Sequence, residues 1–573
     1  MKSKIEADDK TYEEFIEKGS NIHVVPSLQR PYTWGKKEVE KFLNDVLEND
    51  IEYYIGSIVM VAAEGSTKRE EIIDGQQRLT TISLILVAIR KVLSEKEVDS
   101  EGIKDTAYNL LVKPEHKGEG VIRLEFSNEN SQSIYRSLVL NETFKAEKTE
   151  VQKNFETNFE VIKTFIREKL EKDKKFIAEY IEKISKLQII FIKCLDKNSA
   201  YTLFESINAT GISLASTDLI KNAILRKLSV DNVYLEKAEK EWLSLEDVFN
   251  EDVTMIKTYL RHHWISGGSY TSHTKLFDEF QEKYSDNDVE KVYKYLQDLS
   301  STADIYNSLR TAAIESLIQT GKGIGTSKRF EQNEIKASLE FLEYLGVDQV
   351  YSVLLHIYKN DLKNFRKELN KLTSFQFLFK YVSGSPSTVE RKFANYCTDK
   401  YDKEYLSKHL QKICKNKSGE FIENFIEKTK YRAGRSGDIQ FVLEKIAQKQ
   451  DGIGSFTKPT IEHVVAQKPS EINSNLKDMD SSEYKNLINT IGNLTIVELE
   501  DNGSELSNKP VKEKMKILEK SKRKTHNNVT NYKFEKDAIT AISNRSRDIS
   551  GEIYDLFFEV LKTGKFPGNA SLN

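Results

Sequence analysis

A carboxylate and an imidazole stand side by side at Glu462 and His463, on a short β-branched run, IEHVV, whose composition suits a strand. Thirty residues on, Asn493 opens a second apolar run, GNLTIVE. Asp501, Asn502, Asn508 and Lys509 follow in DNGSELSNK, ahead of a lysine-rich helical stretch. These residue types suit the hydrolysis of a phosphodiester with one divalent metal. An imidazole that is neutral near pH 7 takes a proton from water, while oxygen ligands hold a hard cation against the phosphate and its leaving oxygen. Each piece alone is ordinary: Glu-His on a strand is commonly a surface or hydrogen-bonded pair, and Asn502-Gly503 alone marks a turn. The order carries the signal: Glu-His on a strand, a loop, Gly-Asn-Leu-Thr, then Asn with Lys before a helix.

That order resembles an HNH (ββα-metal) nuclease, and the wording is similar to the nuclease half of the GmrSD-type restriction enzymes. The resemblance implies roles. His463 would be the general base, and Glu462 and Asn502 the metal ligands, with Asp501 as a substitute. Asn493 matches the middle Asn of HNH sites and would orient the histidine-bearing loop rather than touch metal. Lys509 would approach the scissile phosphate, and either Asn508 or Asn502 could fill the ligand position. HNH relatives usually carry proline three residues after the histidine; here that position is Ala466, which bears on the turn leaving the strand more than on the chemistry. Oxygen and imidazole ligands without thiolates favour Mg²⁺ or Mn²⁺. The only cysteines, Cys194, Cys397 and Cys414, form no C-x-x-C pair, so the zinc-ribbon form of such a site is excluded.

The N-terminal third carries an independent signal. Glu71-Ile72-Ile73 reads as a strand, DGQQRLTT (Asp74 to Thr81) as a turn, and ISLILVAIRKVL as an apolar helix. A strand that turns through Asp-Gly into a helix presents free backbone N–H groups and a positive dipole end, an anion site to which Arg78 adds a bidentate donor. Upstream lies QRPYTW, with Gln29, Arg30 and Tyr32, then YYIGSIV with Gly56. Any one piece reads equally as a strand-turn-helix with incidental polar residues. Together they resemble the GmrS-like domain, which has a ParB/sulfiredoxin-like core and couples nucleotide hydrolysis to restriction. The block LFESINATGISLASTDLIKNAIL fits the same domain, with Asn208 and Gly211 forming a turn and Asp218, Lys221 and Asn222 on one helix face. By resemblance, Asp74, Gly75, Gln76, Gln77 and Arg78 bind a nucleoside triphosphate of unspecified identity. Gln29, Arg30 and Tyr32 serve either the nucleotide or the DNA mark. There is no P-loop sequence, so any NTPase activity uses this other cradle.

These segments need a large scaffold. The 573 residues include only 8 Pro and 26 Gly, with 31% charged, which predicts a mostly α protein with smaller α+β parts. We expect a sensor domain over 1–225 with the ParB/sulfiredoxin-like α/β core, a helical middle region over 226–387, and a helical domain over 388–573 bearing the HNH motif. TGKGIGTS (320–327) and SGSPST (383–388) are candidate linkers. Adjacent His262 and His263 point about 100° apart on a helix, so at most one faces any given site. Arg545 and Arg547 could face phosphate or merely solvent. The net charge of −3 does not advertise nucleic acid, yet residues 505–533 hold nine Lys/Arg against three acids beside the hydrolytic motif. Such a run either is a solvated face or tracks a phosphate backbone. Unpaired cysteines, an N-terminus without the apolar core of a secretory signal, and no apolar run long enough to span a bilayer predict a cytoplasmic protein without a membrane partner.

The resemblance therefore implies a modification-dependent, type IV-like DNA endonuclease of anti-phage defence, regulated by nucleotide at its N-terminal domain. Its substrate would be double-stranded phage DNA marked by glucosylated or hydroxymethylated cytosine, or by phosphorothioate in a neighbouring branch. A homodimer suits a double-strand cutter, since two nicks need two sites. The alternative is a nucleotide-sensing DNA-binding regulator or abortive-infection switch with an inactive HNH remnant, towards which Ala466 leans. A ParB-like partitioning protein would leave the metal motif without purpose.

Overall fold

The computed structural model describes residues 5–17, 22–29, 31–62, 69–96, 102–113, 120–142, 148–209, 216–286, 288–319, 323–398, 404–452, 456–468, 476, 479–502 and 506–567. The chain is mostly helical, 66%, with a small mixed sheet, as composition led us to expect. It forms two compact units, one of residues 1–260 with 273–301 and one of 261–272 with 302–573. The helices of the expected middle region are thus shared between them. No helix among the described residues is long and apolar enough to cross a membrane.

The first unit is built on six strands: β1 (Ile5–Thr11), β2 (Ile22–Val25), β3 (Tyr54–Ala62), β4 (Arg69–Asp74), β5 (Leu124–Phe126) and β6 (Gln188–Cys194). Their order is β1-β6-β3-β4-β2-β5. The β1–β6 and β3–β4 pairs are antiparallel, and the β3–β6, β2–β4 and β2–β5 pairs parallel. Helix α1 (Gln76–Glu95) leaves β4 through Gly75, whose φ of +98° disfavours any side chain. Nearly all of α1 is buried, from Leu79 to Leu93, so its sequence shows no amphipathic stripe. Helix α2 (Glu150–Lys172) packs on α1; its start is fixed by a capping box between Thr149 and Gln152.

In the second unit, α3 (Gly437–Asp451) precedes a two-stranded antiparallel hairpin, β7 (Pro459–His463) and β8 (Leu494–Glu498). Within the long connection lies α4 (Ser481–Ile488), capped by the Asp480 carboxylate. Next come α5 (Val511–Lys520) and the long α6 (Ala538–Thr563), which buries Ile542, Ile549, Ile553, Leu556 and Phe557. Helix α6 runs so close to the hairpin that a Cβ on Gly492 would lie 2.1 Å from the Ile542 carbonyl oxygen. Glycine opens the GNLT segment because nothing larger fits there.

Candidate nuclease site and nucleotide cradle

His463 pairs with Leu494 and Glu462 with Thr495 across the hairpin. Val464 N donates to Asn493 O and Leu499 N to Lys458 O, both at 2.9 Å. The antiparallel alternation then turns the carbonyls of Ile461 and His463 to the outer edge of β7. Asn502 Nδ2 donates to the first at 3.1 Å, and Lys514 Nζ to the second at 2.7 Å. Lys514 Nζ also contacts the Glu462 carboxylate directly. Glu462, Asn502 and Lys514 therefore meet along one strand edge. Burial raises the Glu462 carboxyl pKa, opposed by the Lys514 charge.

His463 presents its ring on the other side of the strand. Its Nε2 lies 3.0 Å from Asn489 Oδ1. Gln467 Nε2 donates to the same oxygen at 3.1 Å. An amide oxygen only accepts, so in the bond to Asn489 Nε2 carries the proton and Nδ1 keeps the lone pair, while Gln467 Nε2 also stands 3.3 Å from Nε2. Burial pulls the imidazole pKa down to about 4, against the Asn489 hydrogen bond and aided by the Lys514 charge. It is neutral at physiological pH. The Tyr431 ring stands edge-on to it, centroids 4.7 Å apart.

Asn493 is fully buried and acts as a staple. Its Oδ1 accepts from Val465 N (2.8 Å), while Nδ2 donates to Val465 O (2.9 Å) and Ile488 O (2.8 Å). The loop after His463 is held in this way, and Tyr484 Oη adds a 2.8 Å bond to the Ala466 carbonyl. These bonds fix the exit turn without a proline ring. Asp501 is half-buried beside Asn502, Lys509 is half-buried ahead of α5, and Asn508 is exposed; Gly503 lies outside the described residues.

Sequence reasoning missed Lys514, Asn489, Gln467 and Tyr431. Lys514 was legible: Val511, Lys514, Met515 and Leu518 form the buried stripe of α5, and a lysine on such a stripe needs an anion. Arg545 faces neither phosphate nor solvent. It is buried in α6 and donates to Gly492 O and Leu494 O at 2.7 and 2.8 Å, and burial lowers its pKa to about 10.

Among the described residues no three His, Cys, Asp or Glu side chains converge as a metal cluster. The edge of β7 offers one carboxylate and one amide oxygen instead. That set suits a hard cation that keeps several waters and takes further oxygens from a phosphate. Positive charge already stands against Glu462 in the form of the Lys514 ammonium.

In the first unit the QRPYTW and DGQQR segments are bound to one another. Gln77 Oε1 accepts from Thr33 N (2.9 Å) and Trp34 N (3.2 Å), and its Nε2 donates to Pro31 O (3.0 Å). Tyr32 Oη bonds Thr81 Oγ1 at 2.8 Å. From α2, Asn154 and Asn158 donate to the carbonyls of Tyr32 and Trp34. Arg78 donates to Ile55 O (2.6 Å) and Ser57 O (2.9 Å) and lies 3.4 Å from Asp74. It passes so close to Gly56 that a Cβ there would meet Nη1 at 2.1 Å. Gln76 makes a long 3.5 Å contact with Gln29. Gln29 lines a small cleft with Glu246, Asp247 and Glu251, an acidic wall that opposes a bare phosphate. Lys221 pairs with Glu246 at 2.6 Å. Arg30, Asn208 in its side chain, and Gly211 lie outside the described residues.

The described residues thus comprise a sheet-based unit with a polar strand-to-helix junction and a helical unit bearing a Glu-His hairpin. The chain belongs to the GmrSD restriction endonuclease family. The family profile for "GmrSD restriction endonuclease, N-terminal domain" matches residues 12–225, and that for "GmrSD restriction endonucleases, C-terminal domain" matches residues 415–551. Together the two domains mark a type IV restriction endonuclease. Comparison with curated proteins returned no match.

Proposed function

We propose that the chain cleaves modified double-stranded DNA at the β7–β8 hairpin by HNH-type chemistry. The observation that carries this reading is geometric: His463 is bonded to Asn489 at 3.0 Å on one side of β7, and Glu462 and Asn502 meet along its outer edge. Its Nδ1 takes the proton from an attacking water. Asn493 and Gln467 hold the loop and the imidazole in place for that transfer. Glu462 and Asn502, with Asp501 as a substitute, would hold Mg²⁺ or Mn²⁺. When bound, that ion supplies charge stabilisation at the phosphate and leaving oxygen. Lys509, ahead of α5, is positioned in sequence to meet the scissile phosphate.

A nucleoside triphosphate at the Asp74–Arg78 junction regulates the cut in this reading. The first-turn N–H groups of α1 support it. Gln77 and Arg78 then act by holding the 31–34 and 55–57 segments in position rather than by direct phosphate contact. A second reading, a regulator with an inactive nuclease remnant, draws on the Lys514 ammonium against Glu462.

The test is cleavage of plasmid and modified phage DNA with Mg²⁺ or Mn²⁺, with and without a panel of nucleoside triphosphates. His463→Ala and Arg78→Lys proteins of verified fold run alongside. Cutting that is lost in His463→Ala supports the nuclease. Cutting altered by nucleotide only while Arg78 is intact supports the regulation. Folded protein that neither binds Mn²⁺ nor cuts any of these DNAs makes the regulator the better reading.

A further inference from the structure

The segment from Thr429 to Ser436, TKYRAGRS, carries three cations and lies beside His463. It is tied to the site at three points. Lys430 forms an isolated antiparallel bridge with Thr490. Tyr431 N donates to Asn489 O at 2.8 Å, and the Asn489 side chain is the partner of His463 Nε2. The Tyr431 ring packs edge-on against the His463 imidazole.

Beyond Tyr431 the chain makes a tight turn through Gly434, whose φ is +72°. The turn is bonded internally: Arg435 N donates to Arg432 O at 2.9 Å, and Ser436 Oγ accepts from Arg432 N (2.6 Å) and donates to Arg432 O (2.7 Å). Tyr344 Oη, from the same unit, donates to Arg435 O at 2.8 Å. Arg432 and Arg435 are exposed at this fixed turn. Neither has an acidic partner among the described residues, and, unlike other exposed arginines of this unit, both stand on a turn joined to His463 through Tyr431. On a backbone that is already ordered, two guanidinium groups without counter-charge meet an anion at the cost of ordering their side chains alone.

We propose that this turn is a backbone clamp of the nuclease. Arg432 and Arg435 grip phosphates of the DNA strand next to the scissile one, and Tyr431 is a positioning residue that fixes the His463 ring. The inference rests on the nuclease reading and deepens it. Backbone contact by two arginines carries no sequence information, so the clamp sets register on the strand and leaves recognition of the mark elsewhere.

The test uses the full chain and a 30-base-pair duplex, with binding followed by fluorescence anisotropy in EDTA across a range of salt concentrations. Arg432→Gln/Arg435→Gln is compared with wild type and with Lys412→Gln/Lys415→Gln, which removes two exposed cations at the end of the Tyr405–Cys414 helix of the same unit. Loss of two phosphate contacts lowers the slope of log K against log salt by about 1.8, and affinity by about 30-fold at 0.15 M salt. The control pair keeps the wild-type slope. Tyr431→Ala lowers the cleavage rate at saturating DNA with affinity unchanged, and Tyr431→Phe restores the rate because the ring, not the hydroxyl, meets His463. A wild-type slope in the arginine variant overturns the clamp while leaving the nuclease standing. A wild-type protein that neither binds nor cuts DNA removes both.

Discussion

Replacing Asn493 by alanine should release the loop that carries the proposed base, and the size of the effect follows from its bonds. The amide satisfies one buried donor, Val465 N, and two buried acceptors, Val465 O and Ile488 O, at full burial. A buried polar group left without a partner costs about 1–3 kcal/mol, so three such groups set the scale at about 3 kcal/mol even at the low end. Water entering the vacated space recovers part of that, leaving a loss of about 2 kcal/mol in local stability. At about 1.4 kcal/mol per factor of ten, the Val465 amide should exchange roughly 30-fold faster. Hydrogen exchange read by mass spectrometry on peptides covering residues 460–468 measures this directly. It suits a two-unit chain, for which one global unfolding energy is poorly defined. Asn493→Asp keeps the acceptor for Val465 N but sets a buried carboxylate oxygen against the Val465 and Ile488 carbonyls, so its exchange should be at least as fast as that of alanine. Exchange in Asn493→Ala within about threefold of wild type would refute the staple.

The Glu462–Lys514 pair is a second test. Lys514→Met or Glu462→Gln alone leaves a charge or its partner unmatched and should destabilise the second unit, by about 3–5 kcal/mol for the lysine. The double variant should cost far less than the sum, and a strictly additive double-mutant cycle would show that the contact carries no coupling. Gly56→Ala meets both a φ of +105° and the Arg78 guanidinium, so it should cost more than about 2 kcal/mol in melting experiments; a neutral outcome would mean that Arg78 is not held there. His23 supplies a pH dependence. Its ring is buried and stacked on Phe15 at 4.5 Å, neither nitrogen is hydrogen-bonded, and burial lowers its pKa to about 4, with Glu70 opposing. The unfolded chain therefore binds more protons than the folded one between pH 6.5 and 4. Stability is full above this window and falls as the pH drops through it, by roughly 3 kcal/mol from this residue. His23→Phe should flatten that part of the profile, and an unchanged profile would assign the pH dependence elsewhere.

How much was readable from the sequence depended on whether a residue's partners lie near it in the chain. The β7 and β8 strands were legible in IEHVV and GNLTIVE because alternation and β-branching act locally. Asn493 was legible as a motif residue, but its bonds to Val465 and Ile488 were not, since neither partner belongs to the GNLT motif. The charge of Arg78 was readable from its place in DGQQR, whereas the carbonyls of Ile55 and Ser57 that it meets on another strand were not. Tyr431 and Asn489 carry no local signature at all. Their relation to His463 arises from chain brought back over more than twenty residues. Lys514 was legible only from helical periodicity, because composition alone makes it one of nine cations in 505–533.

The clasp of α6 on Gly492 has a consequence for synthesis. Glu462, His463 and Asn493 all leave the ribosome before Arg545 and Ser546, whose bonds to Gly492 and Leu494 pin the second strand. A nascent chain, or one cut short by a premature stop, holds every residue assigned to the chemistry but not the helix that presses them into register. Translation order thus delays the final packing of the β7–β8 hairpin until the first unit and Arg545 of α6 have both been made.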